Sequence, residues 1–135
     1  MKIINLTPHV LVLLVEDPEE GEIEGTLEVG PQATFRRFRK VAEIPPAGPV
    51  ARARQWEEVV GSVPLEGTEI PVLRMKYGEP EGLPEPEEGT YYYVSLLTAQ
   101  AAQAAGRTTT DLIFSGKSVR DRSGRIIGII SFAQL

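Results

Sequence analysis

The sequence predicts an α+β fold: a single β-rich domain over residues 1–135 with a mostly antiparallel sheet, one substantial helix at about 95–105 and a C-terminal hairpin. Short apolar or alternating segments, separated by proline and glycine, recur along the chain and are typical of strands. An alanine-rich segment that ends at Gly106 is a strong helix pattern. The length of 135 residues favours one domain with one modest core.

The first half of the chain reads as strands broken by loops. Residues 10–15 are apolar at every position, so we expect a strand that is covered on both faces. Residues 50–54 alternate apolar and basic side chains, which predicts a half-buried strand with its arginines on one face. The other segments are predicted as strands at 3–6, 26–29, 34–41 and 70–77, as a strand or short helical turn at 56–60, and as a loop at 61–69.

The second half is organised around the helix. Residues 91–94 favour a strand, Ser95 stands where a helix N-cap is expected, and Gly106 stands at the C′ position. Another short strand is predicted at 111–114. Strand, helix and strand therefore form a predicted crossover connection.

The C-terminal hairpin joins residues 119–122 to residues 125–132 through Ser123-Gly124. Its second strand is apolar at consecutive positions, like residues 10–15. One helix of about ten residues covers only part of a sheet, so we expect another subunit to bury one of these faces. The sequence therefore predicts a homo-oligomer.

Composition argues against several classes of site. The chain has no cysteine, which excludes disulfides, thiolate catalysis and Cys-ligated metals, and it has a single histidine, His9. The acids at 79–88 lie in a segment that three prolines hold extended, and they lack the spacing of a calcium loop. We therefore expect no metal site and no cofactor.

Composition also bears on location. No stretch approaches the roughly 18 apolar residues of a membrane helix, and the first twenty residues lack the pattern of a signal peptide. The absence of cysteine fits a reducing compartment. We expect a cytoplasmic protein without membrane contact. Ten arginines against four lysines, together with 11 prolines, resemble the composition of thermophile proteins.

The charge pattern offers one candidate surface for nucleic acid. The net charge of −5 disfavours general binding to nucleic acid. Residues 36–40, Arg-Arg-Phe-Arg-Lys, nevertheless combine four bases with aromatic rings at Phe35 and Phe38. The alternative is the exposed face of a strand, paired with the acidic segment at 16–28. The sequence therefore disfavours nucleic acid as a partner and leaves binding through this segment as an open alternative.

A ligand site is predicted where the turn from Asn5 to His9, the helix start at Ser95 and the loop at 79–88 meet. The helix start offers free N–H groups and the positive end of the helix dipole. Leu83, the one apolar residue of the loop, is expected to pin it to the body as a cover. The charge that holds an anion would come from Arg107 or Arg120.

The functional residues have structural alternatives. Ser95 could be a nucleophile with His9 as general base and Asp111 as the third member, yet the G-x-S-x-G motif is missing. Ser95 is otherwise an N-cap, and His9 is otherwise a hydrogen-bonded turn or rim residue.

Five segments together resemble a group of short uncharacterised bacterial and phage-associated proteins. The resemblance covers most of the chain and implies no known activity, cofactor or catalytic residue. From it we infer that the Asn5 turn, the 81–86 loop and the Ser95 helix start belong to one feature. The matching segments are Asn5-Leu-Thr-Pro-His9, residues 44–52, Glu81-Gly-Leu-Pro-Glu-Pro86, Tyr92-Tyr-Val-Ser95 and residues 119–128.

These observations favour a non-enzymatic binding or interaction module for a small anionic ligand or a protein partner. The first alternative is a hydrolase that uses His9 and Ser95. The second is a nucleic-acid binder that uses residues 36–40.

We predict that folding is independent of metal. One histidine, no cysteine and no calcium-loop spacing leave no complete ligand set in the sequence. The melting temperature measured with EDTA should therefore equal that measured without it. A decrease of several degrees in EDTA would contradict this prediction.

Overall fold

The computed structural model describes residues 1–29 and 32–135. Within this part the chain is a small β-rich domain with one helix, which confirms the predicted class at this level. The predicted break at Gly30-Pro31 lies outside the described residues. The strands are β1 (Lys2–Asn5), β2 (Leu11–Glu16), β3 (Ile23–Val29), β4 (Gln32–Ile44), β5 (Gln55–Leu65), β6 (Thr68–Tyr77), β7 (Thr90–Tyr93), β8 (Leu112–Ser115), β9 (Ser118–Arg120), β10 (Ile126–Ile129) and β11 (Phe132–Ala133), and the helix is α1 (Leu96–Ala104).

A mixed four-stranded sheet carries the helix. Its order is β1-β7-β8-β11, with β1, β7 and β8 parallel and β11 antiparallel to β8. The predicted crossover from β7 through α1 to β8 is confirmed. Because a helical connection returns the chain in the same direction, β7 and β8 are parallel, and together with the antiparallel β11 they make the sheet mixed. Tyr92, Val94 and Leu112 share a core with Ala99 and Ala102 of the helix.

The second sheet closes into a barrel in the order β10-β2-β4-β3-β9. β10 lies parallel to β2, and the other neighbours are antiparallel. Phe38 and Val119 are fully buried in its interior, together with Leu14 and Leu27. Closure pairs both edge strands of this sheet with each other. It therefore removes the exposed, unpaired backbone N–H and C=O groups of edge strands, which promote aggregation.

Within one chain, residues 10–15 are covered on one face only. Leu11 and Leu14 are buried, whereas Val10 and Val15 are 53% and 37% exposed. A closed barrel has an inside and an outside, so only one side of the strand meets the core. A register shift between Leu13 and Leu14 lets two inward side chains lie three positions apart.

β5 and β6 form a two-stranded antiparallel ribbon that we call the arm (residues 55–77). The prediction of a loop at 61–69 is wrong, because these residues form the tip of the arm and its turn. Residues 56–60, predicted as a strand or a helical turn, form a strand. The two strands are joined by Glu66 and Gly67, whose φ angles are 49° and 78°. Two consecutive positive φ values define the tight turn of a hairpin. Asn, Asp or Gly normally marks its first position, so Glu66 gave no signal.

Residues 50–54 form a loop rather than the predicted half-buried strand. The backbone of Arg52 pairs with Glu81 through N–H···O bonds of 2.9 and 2.7 Å. The N–H of Ala51, one residue earlier, donates instead to Leu6 O at 2.9 Å. Because successive residues bond to different segments, no ladder of more than one bridge develops.

The predicted C-terminal hairpin is present as β9 and β10, which are antiparallel neighbours. Asp121 Oδ1 accepts hydrogen bonds from the Ser123 hydroxyl at 2.7 Å, the Ser123 N–H at 2.9 Å and the Arg125 N–H at 3.0 Å. The Ser123 hydroxyl and then the Arg125 N–H hold the pKa of Asp121 below its ordinary value, because both stabilise the carboxylate. The turn is thus closed around one charged acceptor.

Asn5 joins the four-stranded sheet to the barrel. It is 1% exposed and uses both of its polar atoms twice. Nδ2 donates to His9 O at 2.8 Å and to Ile44 O at 3.0 Å. Oδ1 accepts from Thr7 N–H at 3.0 Å and from Thr7 Oγ1 at 2.7 Å. One side chain therefore fixes the end of β1, the turn that follows it and the end of β4.

We predict that Asn5→Asp lowers the free energy of unfolding by about 2–4 kcal/mol, because two buried carbonyls lose their donor and face a carboxylate instead. Chemical denaturation monitored by circular dichroism would measure the change. Gln103→Glu makes the same chemical change on the exposed end of α1 and should cost far less. Equal losses in the two variants would contradict the role of Asn5.

We predict that Glu66→Asn stabilises the arm locally, because Asn tolerates a positive φ better than Glu does. Backbone amide exchange in β5 and β6 should slow by about threefold to tenfold, the equivalent of about 0.6–1.4 kcal/mol. Glu66→Gln removes the same charge without improving the backbone preference and serves as the control. Equal exchange rates in the two variants would show that charge, not conformation, matters at this turn.

Candidate functional site

A cavity of about 670 Å³ lies at the carboxyl ends of the parallel strands β1, β7 and β8. Three chain segments reach it because each continues from one of these strand ends or packs beside it. Ligands of sheets with parallel strands commonly bind at this edge. The described residues that line the cavity are 7–10, 50–53, 93–98, 114 and 115.

The turn after β1 forms one wall of the cavity, and Asn5 holds it from beneath. The Thr7 hydroxyl donates to Asn5 Oδ1 at 2.7 Å, so the turn is fixed by a buried side chain. The His9 side chain is exposed, and it lines the cavity with Thr7 and Pro8. A buried amide thus positions the only histidine of the chain at the cavity, as a side chain open to solvent.

Ser95 forms a second wall as the predicted N-cap of α1, with φ −71° and ψ 155°. Its Oγ accepts from Thr98 N–H at 3.1 Å and donates to Thr98 Oγ1 at 2.9 Å. The N–H groups of Leu96 and Leu97 have no acceptor inside the helix. The cavity therefore meets the positive end of the helix dipole.

Arg52 forms part of the third wall and was not predicted as a site residue. The bridge to Glu81 fixes its backbone, and its side chain is exposed. Among the ion pairs of the described residues, none includes Arg52. The alternation of bases in residues 50–54 was the available signal, but it predicted a strand and not a cavity wall.

The loop at 79–88 lies beside this cavity rather than along it. Leu83 is partly buried and packs against the core cluster of the four-stranded sheet, as expected for a residue that pins the loop. Glu79 and Glu81 line a neighbouring cavity of about 600 Å³ with Arg52 and Arg54. The loop therefore contacts the far side of Arg52.

The predicted cations Arg107 and Arg120 lie outside the cavity lining. Arg107 Nη1 and Nη2 donate to the two carboxylate oxygens of Asp111 at 2.9 and 3.0 Å, and Nη2 also donates to Pro84 O at 2.7 Å. Arg107 therefore ties the 79–88 loop to the start of β8. Arg120 Nη1 donates to Gly124 O at 2.8 Å in the C-terminal hairpin. Binding by either residue stays a prediction.

A serine–histidine–aspartate relay is not formed by the hydrogen bonds of the described residues. The Ser95 hydroxyl donates to Thr98, and Asp111 is bound on both oxygens by Arg107. A relay needs the hydroxyl to donate to the imidazole and the imidazole to donate to the carboxylate. The structure brings His9 and Ser95 to one cavity without this connection.

The basic segment at 36–40 lies on β4. Phe38 is fully buried in the barrel core, so it cannot stack on a base. Phe35 is exposed, and the Arg122 guanidinium lies 5.1 Å from its ring centre. Three of the segment's four bases pair with carboxylates, at N···O distances of 3.1 Å for Arg36–Glu16, 3.3 Å for Arg39–Asp17 and 2.9 Å for Lys40–Glu43.

Two properties of residues 1–29 and 32–135 bear on the site. No group of three or more His, Asp or Glu side chains in this part is placed to hold a metal ion. No helix in it is long and apolar enough to cross a membrane.

Comparison with known proteins identifies no family for this chain. The chain matches no family model, no curated protein and no solved structure. The functional conclusion therefore depends on the cavity and on the surfaces of this chain alone.

Proposed function

We propose that this protein is a non-enzymatic binding module whose cavity takes a small organic anion, a carboxylate or phosphate ester with an apolar group. One observation carries the proposal: the cavity has an apolar wall, a cation in Arg52 and no acid among its described lining residues. Its volume of about 670 Å³ falls within the roughly 300–1,000 Å³ of small-molecule sites.

The apolar wall supports a ligand with an apolar body. Val50, Ala51 and Leu97 line the cavity, and Val94 and Phe114 come from the adjoining strand ends. Val94 and Phe114 also belong to the core cluster or pack against it, so this wall is backed by close-packed side chains. A preformed wall binds a ligand without the entropic cost of ordering a loop.

The electrostatics support an anion. Arg52 offers a guanidinium that can donate two parallel hydrogen bonds to a carboxylate or phosphate. The start of α1 adds the N–H groups of Leu96 and Leu97 and the positive end of a helix dipole. His9 is placed to donate a further hydrogen bond from the rim.

Hydrolysis by His9 and Ser95 has less support than binding. The Ser95 hydroxyl is committed to capping α1, and its proton is donated to Thr98. Activating it would break an N-cap, which commonly contributes about 1 kcal/mol to helix stability. Nucleic-acid binding through residues 36–40 has less support for a different reason, since Phe38 is buried and Arg36 and Arg39 are paired with acids.

The lack of cysteine supports a cytoplasmic location.

We predict that a screen of nucleotides, inorganic phosphate and small carboxylates by thermal shift yields a ligand that stabilises the wild type. Arg52→Gln should weaken its Kd by about tenfold to a hundredfold, since hydrogen bonds to charged groups contribute about 1.5–3 kcal/mol. Arg54→Gln removes a nearby arginine that lines only the neighbouring cavity and should leave Kd unchanged.

His9→Ala tests the site and the class of function together. A ligand that binds wild type and His9→Ala equally well would show that His9 is structural and that its assignment to the site fails. Turnover of an ester or phosphate ester that is lost in a folded His9→Ala variant would show a hydrolase instead of a binding module. Retention of oligonucleotides that weakens steeply with salt would favour the nucleic-acid alternative.

A further inference from the structure

The arm has a composition unlike that of a solvated ribbon. Every residue of β5 is exposed, and so are the first eight residues of β6. Nine large apolar side chains of the arm are between 40% and 69% exposed. These side chains are Trp56, Val59, Val60, Val63, Leu65, Ile70, Val72, Leu73 and Met75.

Such a ribbon is not stable alone in water. A two-stranded hairpin is at best marginal unless a third strand or another surface covers a face. A contiguous exposed apolar patch on this scale marks an interaction site. We propose that the arm is an interface between copies of this chain and that its occupant is the same arm of a second copy.

Both faces of the arm are apolar. Directly paired residues share a face, and successive residues alternate between faces. The pair Val63 and Ile70 defines one face, which also carries Leu65 and Val72 beyond them on each strand. The pair Val59 and Leu73 defines the opposite face. Each face therefore offers an apolar surface to a neighbour.

Two prolines block the outer edges of the arm in the part where its faces are apolar. Pro64 is paired with Glu69, and Pro71 is paired with Ser62. Proline has no N–H to donate, so each ring interrupts the outer edge of its strand. Adding a further strand at either edge is thereby disfavoured. Packing of face on face, as in two sheets about 10 Å apart, remains open.

The exposed area is divided between the two faces of the arm, and the face of Val63 and Ile70 holds the larger share. Full burial removes roughly 60–120 Å² of apolar surface from a side chain of this size. By alternation along the paired strands, this face carries five of the nine side chains, which are Trp56, Val63, Leu65, Ile70 and Val72. Since each is about half exposed, the face offers roughly 150–300 Å² of apolar surface. Because about 60% of an interface is apolar, this corresponds to roughly 250–500 Å² for each copy. Two copies bury about twice this area, which is the size of a weak or transient interface.

The charges of the arm favour an antiparallel arrangement of two copies. The tip carries Glu66 and Glu69 and no base. The arm's two cations, Arg74 and Lys76, lie near its base, where Lys76 Nζ is 3.9 Å from a Glu58 carboxylate oxygen. Side by side in the same direction, two arms would bring their acidic tips together. In opposite directions, each acidic tip lies beside the base of the other arm, where Arg74 and Lys76 balance Glu57 and Glu58, so a two-fold contact keeps the two acidic tips apart.

Light scattering coupled to size exclusion, over a range of micromolar concentrations, tests the proposal. We expect the mass to rise with concentration towards twice the 14.8 kDa of the chain. Val63→Lys with Ile70→Lys should reduce the mass to that of one chain, and Leu65→Lys with Val72→Lys on the same face should do the same. Val59→Lys with Leu73→Lys adds the same charge on the opposite face and should leave the mass unchanged.

Circular dichroism and the melting temperature show whether each variant keeps its fold, and the two pairs on the face of Val63 and Ile70 give two independent trials. A wild type that has the mass of one chain throughout would overturn the proposal. An assembly that persists in a folded variant of the Val63 and Ile70 face would also overturn it, because the interface would then lie elsewhere. Ligand binding in the cavity is measured separately and stands or falls without this result.

Discussion

The complete hydrogen bonding of one buried amide is the constraint on which the rest of the structure depends. Asn5 ends β1 of the four-stranded sheet and holds the turn that carries His9. Its side chain also donates a hydrogen bond to the carbonyl of Ile44, the last residue of β4 in the barrel. An amide has two donors and two acceptor positions, and all four are used here. A buried network that is fully satisfied rigidifies its surroundings. The sheet, the cavity wall and the barrel therefore have one common point of reference.

Local chemistry made part of this fold predictable. Ser95 and Gly106 bracket an alanine-rich segment, and both act at the helix ends as their residue types imply. The crossover from β7 to β8 follows from the order of the elements. The bounds of the arm did not follow, because Glu66 occupies a backbone conformation that its residue type seldom adopts. The exposure of one face of residues 10–15 within the chain did not follow either, because an apolar run does not reveal whether its sheet is open or closed.

The site was predictable in position more than in composition. The meeting of His9 and Ser95 at one cavity follows from parallel strands that end at the same edge. Which arginine would lie there could not be read from the sequence. Arg107 has an aspartate four residues later, and Arg52 reaches the rim through one bridge to a segment 29 residues away. Such long-range pairings are set by the packed fold and leave little trace in local patterns.

The ends of the arm lie side by side, since Gly78 N–H donates to Arg54 O at 3.0 Å. None of the buried apolar residues of the described chain falls within residues 55–77. Topologically the arm is an insertion into a body that is complete without it. Its length and its surface can therefore change during evolution, or be exchanged by design, without a cavity opening in either core. The same closeness of the ends makes the arm a site where a foreign segment could be grafted with its two termini already in register.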